Sequence, residues 1–183
     1  MMRSNKSETV AAALILWAAG AAFAHPASAQ ESVRSSDVAS PEAIVAATYE
    51  SIARAPGENF DWKRFRSLFL PTAMLIPSTE QRGGAFDILS VQEFIDWIDG
   101  ATTIGGEQDS GFSEDGISNR IERYGDIAHV FSTYEKHFWG DDRNLGRGIN
   151  TFQLVQNDGR WWIVSIAWDE EIGAGPIPEE YLP

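Results

Sequence analysis

The chain of 183 residues contains no cysteine. Disulfides, thiol catalysis and cysteine-held metals are therefore excluded, and the fold must be stabilised by packing alone. Histidine is scarce, and beyond the N-terminal segment only His129 and His137 remain. With no H-x-H or H-E-x-x-H spacing, these two form no ligand pattern, so neither a metal nor another cofactor is expected. Positive charge is also short, with 14 Lys and Arg against 27 Asp and Glu and a net charge of −13. Such a chain repels phosphate backbones, which argues against nucleic-acid binding. No G-x-S-x-G elbow occurs, and "GRGIN" and "IGGE" are too short and badly placed for a phosphate loop. After Ala24 no apolar run is long enough to cross a membrane.

The N-terminus reads as a secretory signal peptide, residues 1–29. Arg3 and Lys6 form a basic start, "VAAALILWAAGAAFA" is the apolar run, and Ala27-Ser28-Ala29 is an A-x-A cleavage site before Gln30. A cut after Ala24 would leave Pro26 at the second mature position. An uncleaved anchor is the rival reading, but the run is short for the ~20 residues a span needs. Residues 30–39 are polar and aperiodic, and read as a flexible leader. Residues 40–172 read as one domain and 173–183 as a C-terminal tail.

Within the domain, the period of the apolar residues changes once. Ser40-Pro41 opens a helix expected to run to about Ala55, and Asp61 caps a second that carries Trp62, Phe65, Leu68 and Phe69. A short strand is expected over Ala73–Pro77, and Gln81–Gly84 reads as a turn. Ser90-Val91-Gln92-Glu93 is a capping box for a third helix, stopped at Gly100. From Gly111 the period falls to two, giving strands at Phe112–Tyr124, Ile127–Trp139, Gly148–Gln156 and Trp161–Glu170. Asp158-Gly159 marks the last hairpin. Helices first and an antiparallel meander second give an α+β fold.

Particular stretches support a resemblance. "DWKRFRSLFLPTAMLIP", "YGDIAHVFSTYE" and "GRGINTFQLVQNDGRWWIVSIAWDEE" resemble the nuclear transport factor 2-like superfamily over Pro41 to about Glu171. That resemblance implies three N-terminal helices packed on a strongly curved antiparallel sheet, forming a cone with a central pocket. It implies a small apolar or aromatic ligand and, for this chain, a homodimer through the sheet. The superfamily includes ketosteroid isomerase, scytalone dehydratase and polyketide cyclases, alongside members with no known chemistry, so the fold leaves activity open. The acid–base set of ketosteroid isomerase does not align onto this chain residue by residue.

Candidate site residues come from the mixed strand "IAHVFSTYEKHFW". His129, Phe131 and Glu135 share one face, while Val130, Ser132 and Tyr134 share the other, and a one-residue register change exchanges them. His129 is a candidate acid–base, with a partly buried histidine bonded to a neighbour as the alternative. Glu135 lies about 20 Å from it by strand rise, so the two cannot form a dyad. Glu135 is a candidate ligand contact or a cross-strand ion pair with Arg147 or Arg120. Tyr134, Tyr49 and Asn150 are candidate hydrogen-bond donors to substrate, or core residues with polar rims. Asp169, Glu170 and Glu171 close the last strand behind Trp168, and Asp169 is taken as the candidate carboxylate base, with a solvated strand end as the alternative. Trp161, Trp162, Trp168, Trp97, Phe131 and Phe152 supply aromatic surface for a pocket or for core and interface.

These features support an exported small-molecule-binding protein, either a cofactor-independent isomerase, lyase or hydrolase or a non-catalytic binding or interaction domain. Cleavage after Ala29 predicts that the exported protein begins at Gln30, which intact-mass measurement checks; a retained leader would contradict it.

Overall fold

The computed structural model describes residues 34–104, 110–141 and 144–183, so the signal-peptide segment and the start of the leader lie outside the described residues. The end of the leader is not loose. Ser35–Val38 forms a 3-10 helix whose Asp37 and Val38 are buried. Asp37 is held by Arg64, at 2.7 Å from Nε and 3.1 Å from Nη2, and Arg64 also reaches Glu50 at 2.6 Å.

Helix α1 spans Pro41–Ser51, with Ser40 Oγ accepting the Ala43 amide at 3.2 Å and proline at its first position. It stops at Ser51, short of the expected Ala55. The physical reason is a competing pairing, because Arg54 and Phe112 exchange both backbone bonds, at 2.8 and 2.9 Å. Helix α2, Trp62–Ser67, is capped by Asp61. Helix α3 spans Val91–Ile104, running past Gly100. Its capping box is closed both ways, Glu93 N to Ser90 Oγ at 3.2 Å and Ser90 N to Glu93 Oε2 at 2.7 Å. A single turn, α4, follows at Glu171–Ala174.

Six strands form one sheet: β1 Phe69–Ile76, β2 Leu89–Ser90, β3 Ser113–Tyr124, β4 Ile127–His137, β5 Asn144–Asn157 and β6 Arg160–Glu170, in the order β2-β1-β6-β5-β4-β3. The last four make the expected meander, and Asp158 and Gly159 turn its final hairpin at φ 51° and 76°. The expectation of a purely antiparallel sheet is corrected at one seam. Strand β1, longer than anticipated, pairs parallel to β6, with Leu75 opposite Ile166. Strand β1 thus lies between β2, antiparallel to it, and β6, parallel to it.

Two irregularities decide which side chains face inward. In β6, Gln153 pairs with Ser165 but Leu154 with Ile163, so Val164 is an extra residue. Trp161 and Ile163 are buried before this bulge, and Ile166, Trp168 and Glu170 point inward after it. In β3 the register shifts between Gly116 and Ser118. Among the described residues, no helix is long and apolar enough to cross a membrane.

The tail closes over the opposite side of the sheet. Tyr181 stacks on Phe131 at 5.3 Å between ring centroids, and its carbonyl accepts Thr133 Oγ1 at 2.7 Å. Removing Arg64 would leave buried Asp37 without its two guanidinium bonds. Arg64→Ala is expected to lower unfolding stability by about 3 kcal/mol in urea titration, with the N-terminal turn released to proteolysis; a loss below about 1 kcal/mol would contradict this coupling.

Candidate active site

A cavity of about 310 Å³ lies between the helices and the inner face of the sheet. Its walls are built from aromatic contacts that the helices bring together. Phe65 of α2 stacks on Phe94 of α3 at 5.5 Å, and Phe94 meets Trp97 at 6.1 Å and Trp168 of β6 at 5.8 Å, edge to face. Phe152, Leu75 and Ile166 complete the apolar wall from the sheet.

At one side the cavity turns polar. Glu114, Lys136, Glu170, Asn150, Tyr49, Tyr134 and Gln81 all line it. Register explains their convergence, since Glu114 of β3 sits directly across from Lys136 of β4, while Gly148 of β5 lies between Tyr134 and Glu170. A β-carbon at Gly148 would stand 2.5 Å from both the Tyr134 hydroxyl oxygen and the Asp169 carbonyl oxygen. Glycine there lets Tyr134 lie across β5 and donate to Glu170 Oε1 at 3.4 Å. Lys136 Nζ reaches the same oxygen at 2.6 Å, and Gln81 Nε2 donates to it as well. Gln81 in turn accepts Trp168 Nε1 at 2.7 Å, tying the aromatic wall to the ion pair.

Glu114 is held differently. Its Oε1 accepts Asn150 Nδ2 at 3.1 Å, and the same amide donates to Tyr49 Oη at 3.2 Å. Tyr49 Oη is 2.6 Å from Ser132 Oγ, and because it accepts from Asn150 its own proton is free for that serine. Burial disfavours the charged carboxyl and pushes Glu114 up to about 7, against the opposing pull of the Asn150 bond and the Lys136 charge. Burial likewise raises Tyr49 and Tyr134 well above ordinary tyrosine, with the Glu114 charge adding to both, so both phenols stay protonated.

The structure brings together Tyr49, Tyr134, Asn150 and Trp168 from the sequence expectations. It separates His129, Glu135 and Asp169 from the cavity. Register is the cause for the first two. Ser132 pairs with Asn150 and His129 with Gln153, which puts His129 and Glu135 on the outer face of the sheet. There His129 Nδ1 bonds Gln153 Nε2, and Glu135 lies 3.7 Å from His137, while Arg147 pairs with Glu171 at 2.9 Å rather than with Glu135. Asp169 is exposed because the Val164 bulge gives its neighbour Glu170 the inward position. Phe131 and Trp162 are also outside, Trp162 lying under the Arg160 guanidinium at 3.5 Å. Glu114 and Lys136 sit in no motif that marks them in the sequence. The available signal for Glu114 was its spacing, two residues beyond Phe112 on the same strand face. Among the described residues no group of three His, Asp or Glu could hold a metal ion.

No family model and no curated protein matches this chain. Solved structures do. It is similar to a protein of unknown function with a cystatin-like fold from Nostoc punctiforme (12% identity, 71% of this chain and 87% of that one, TM-score 0.55). It is also similar to a nuclear transport factor 2-like protein with a cystatin-like fold from Novosphingobium aromaticivorans (15% identity, 62% and 71%, TM-score 0.50). A nuclear transport factor 2-like protein of unknown function from Shewanella baltica matches at 19% identity over 69% and 87%, with a TM-score of 0.48. The chain thus has the nuclear transport factor 2-like fold.

Native Glu114 holds its proton to about pH 7, against 4.5 for an ordinary glutamate, so its contribution to stability is full below about pH 4.5 and is lost as pH rises through 7. Glu114→Gln is expected to remove this loss, flattening the decline between those limits by on the order of 2–3 kcal/mol. Urea titrations at several pH values test this, and parallel wild-type and variant profiles would refute it.

Proposed function

We propose that this chain is a cofactor-independent proton-transfer enzyme for a small apolar or aromatic molecule, with Glu114 as its acid–base. The observation that carries this is a carboxyl poised near neutrality at the polar end of an aromatic cavity. A general base works best when its pKa lies near the working pH, and Glu114 meets that condition through burial. In the reaction envisaged, ionised Glu114 takes a proton from a carbon next to a carbonyl, or next to a hydroxyl-bearing carbon that is itself activated by a carbonyl. It then returns that proton to another carbon, as an isomerase, or to a departing hydroxyl, as a lyase. Lys136 Nζ spends one N–H on Glu170 and keeps others for an oxygen gaining charge. Tyr134 and Gln81 hold Glu170, which keeps Lys136 in place.

The substrate follows from the same walls. Trp97, Trp168, Phe94 and Phe152 suit a flat or hydrocarbon-like body, and two acidic side chains beside one lysine disfavour a carboxylate ligand. A neutral carbonyl or hydroxyl compound fits best. Export, a cone-shaped enclosure and pairing of two copies through the outer sheet face belong to this proposal, supported by the N-terminal sequence and by exposed Ile127 on that face.

The test is hydrogen–deuterium exchange at acidic carbons across a panel of neutral cyclic ketones and hydroxy compounds in heavy water, followed by NMR. Glu114→Gln is expected to slow exchange of any active compound by about 10²–10⁴-fold, and His129→Ala to leave it unchanged. Full activity in Glu114→Gln would overturn the assignment.

A further inference from the structure

Glu114 and Tyr49 line a second cavity as well as the first. This one is a groove of about 670 Å³ between α1 and β3, on the far side of the wall that those two residues form. It is more polar than the aromatic cavity, although Val45 and Trp139 also line it. Glu50 and Asp115 give it charge, Asn119 and Ser113 give it hydrogen-bonding groups, and exposed Ala46 on α1 and half-buried Ala53 just past its end leave the rim low. Gly116 sets the thickness of the partition. A β-carbon there would come within 2.7 Å of the Tyr49 ring, so only glycine lets the phenol lie flat against β3 between the two spaces.

We infer that the α1–β3 groove is a second, polar entrance to the site, through which Glu114 exchanges protons with water while an apolar ligand fills the aromatic side. The inference rests on the acid–base reading of Glu114 and adds a route to it. An apolar ligand seated among Trp97, Phe94 and Trp168 would cover the carboxyl from the inner cavity. A base sealed on every side could only return the proton it took. A carboxyl set in a wall between a dry space and a wet one can release that proton to water and be reset without the ligand leaving. The balance is simple, since water in the groove accepts the carboxyl proton as hydronium, or supplies one in return. The hydroxyl pair Tyr49–Ser132, joined to Glu114 through Asn150, lies in the same partition.

The absence of native cysteine makes the test clean, because Glu114→Cys creates a unique thiol. Its rate of modification by 2-aminoethyl methanethiosulfonate, a small cation suited to an acidic groove, is followed by mass spectrometry on the full chain. Ala46→Trp and Ala53→Trp, placed on the groove rim, are each expected to slow labelling about tenfold or more. Ile98 of α3 lines the aromatic cavity but not the groove, so Ile98→Trp, which fills that cavity instead, should leave the rate within about twofold. Ala46 is exposed on α1, so Ala46→Trp decides the matter should Ala53→Trp fold poorly. Labelling slowed by Ile98→Trp and untouched by the rim variants would overturn the second entrance. This readout involves no turnover, so it stands or falls separately from the catalytic role of Glu114.

Discussion

Two carboxyls share one ammonium in the cavity, and much of the site depends on how that shortage is settled. Lys136 is committed to Glu170, where Gln81 and Tyr134 also donate, whereas Glu114 accepts the amide of Asn150. Burying a carboxylate without an ion-pair partner is costly, and the protein avoids much of that cost by letting Glu114 keep its proton to about pH 7. The same imbalance shields Lys136 from a competing anion and leaves the tyrosines as protonated donors. Charge and stability are therefore opposed at one side chain.

Placing those groups required departures from regular strand geometry. The extra residue Val164 shifts the parity of β6 so that Glu170, not Asp169, enters the cavity. Gly148 keeps the intervening strand low enough for Tyr134 to reach across it, and Gly116 admits the Tyr49 ring. Each feature is small, yet losing one would block the contact it permits. A sheet of this fold with a side chain at Gly148 could pack well and lack the Tyr134–Glu170 contact. Likeness of fold to proteins of unknown function thus says little about what this cavity does.

The fold was legible because its signals are local. The capping box at Ser90–Glu93, the proline after Ser40 and the Asp158-Gly159 turn each specify their element through neighbours in sequence. The site was only half legible. Tyr49, Tyr134, Asn150 and Trp168 were identified from residue type and position on strands, but the face of β4 depends on its pairing with β5. That pairing sends Ser132 and Tyr134 inward and His129 and Glu135 outward. A histidine drew attention to the wrong face because its chemistry is conspicuous; Glu114 was one acid among 27 and became distinctive only through burial. Likewise, no periodicity in "RWWIVSIAWDE" reveals the bulge that exchanges Asp169 for Glu170. The parallel β1–β6 seam was hidden for a similar reason, being a contact between distant segments.

The central claim is that Glu114 changes charge near neutrality while facing an apolar cavity. Carbon-13 NMR titration of its carboxyl carbon, assigned by loss of the signal in Glu114→Gln, tests this most directly. The expected midpoint is about 7. A midpoint near 4.5, that of an ordinary solvated glutamate, would contradict it.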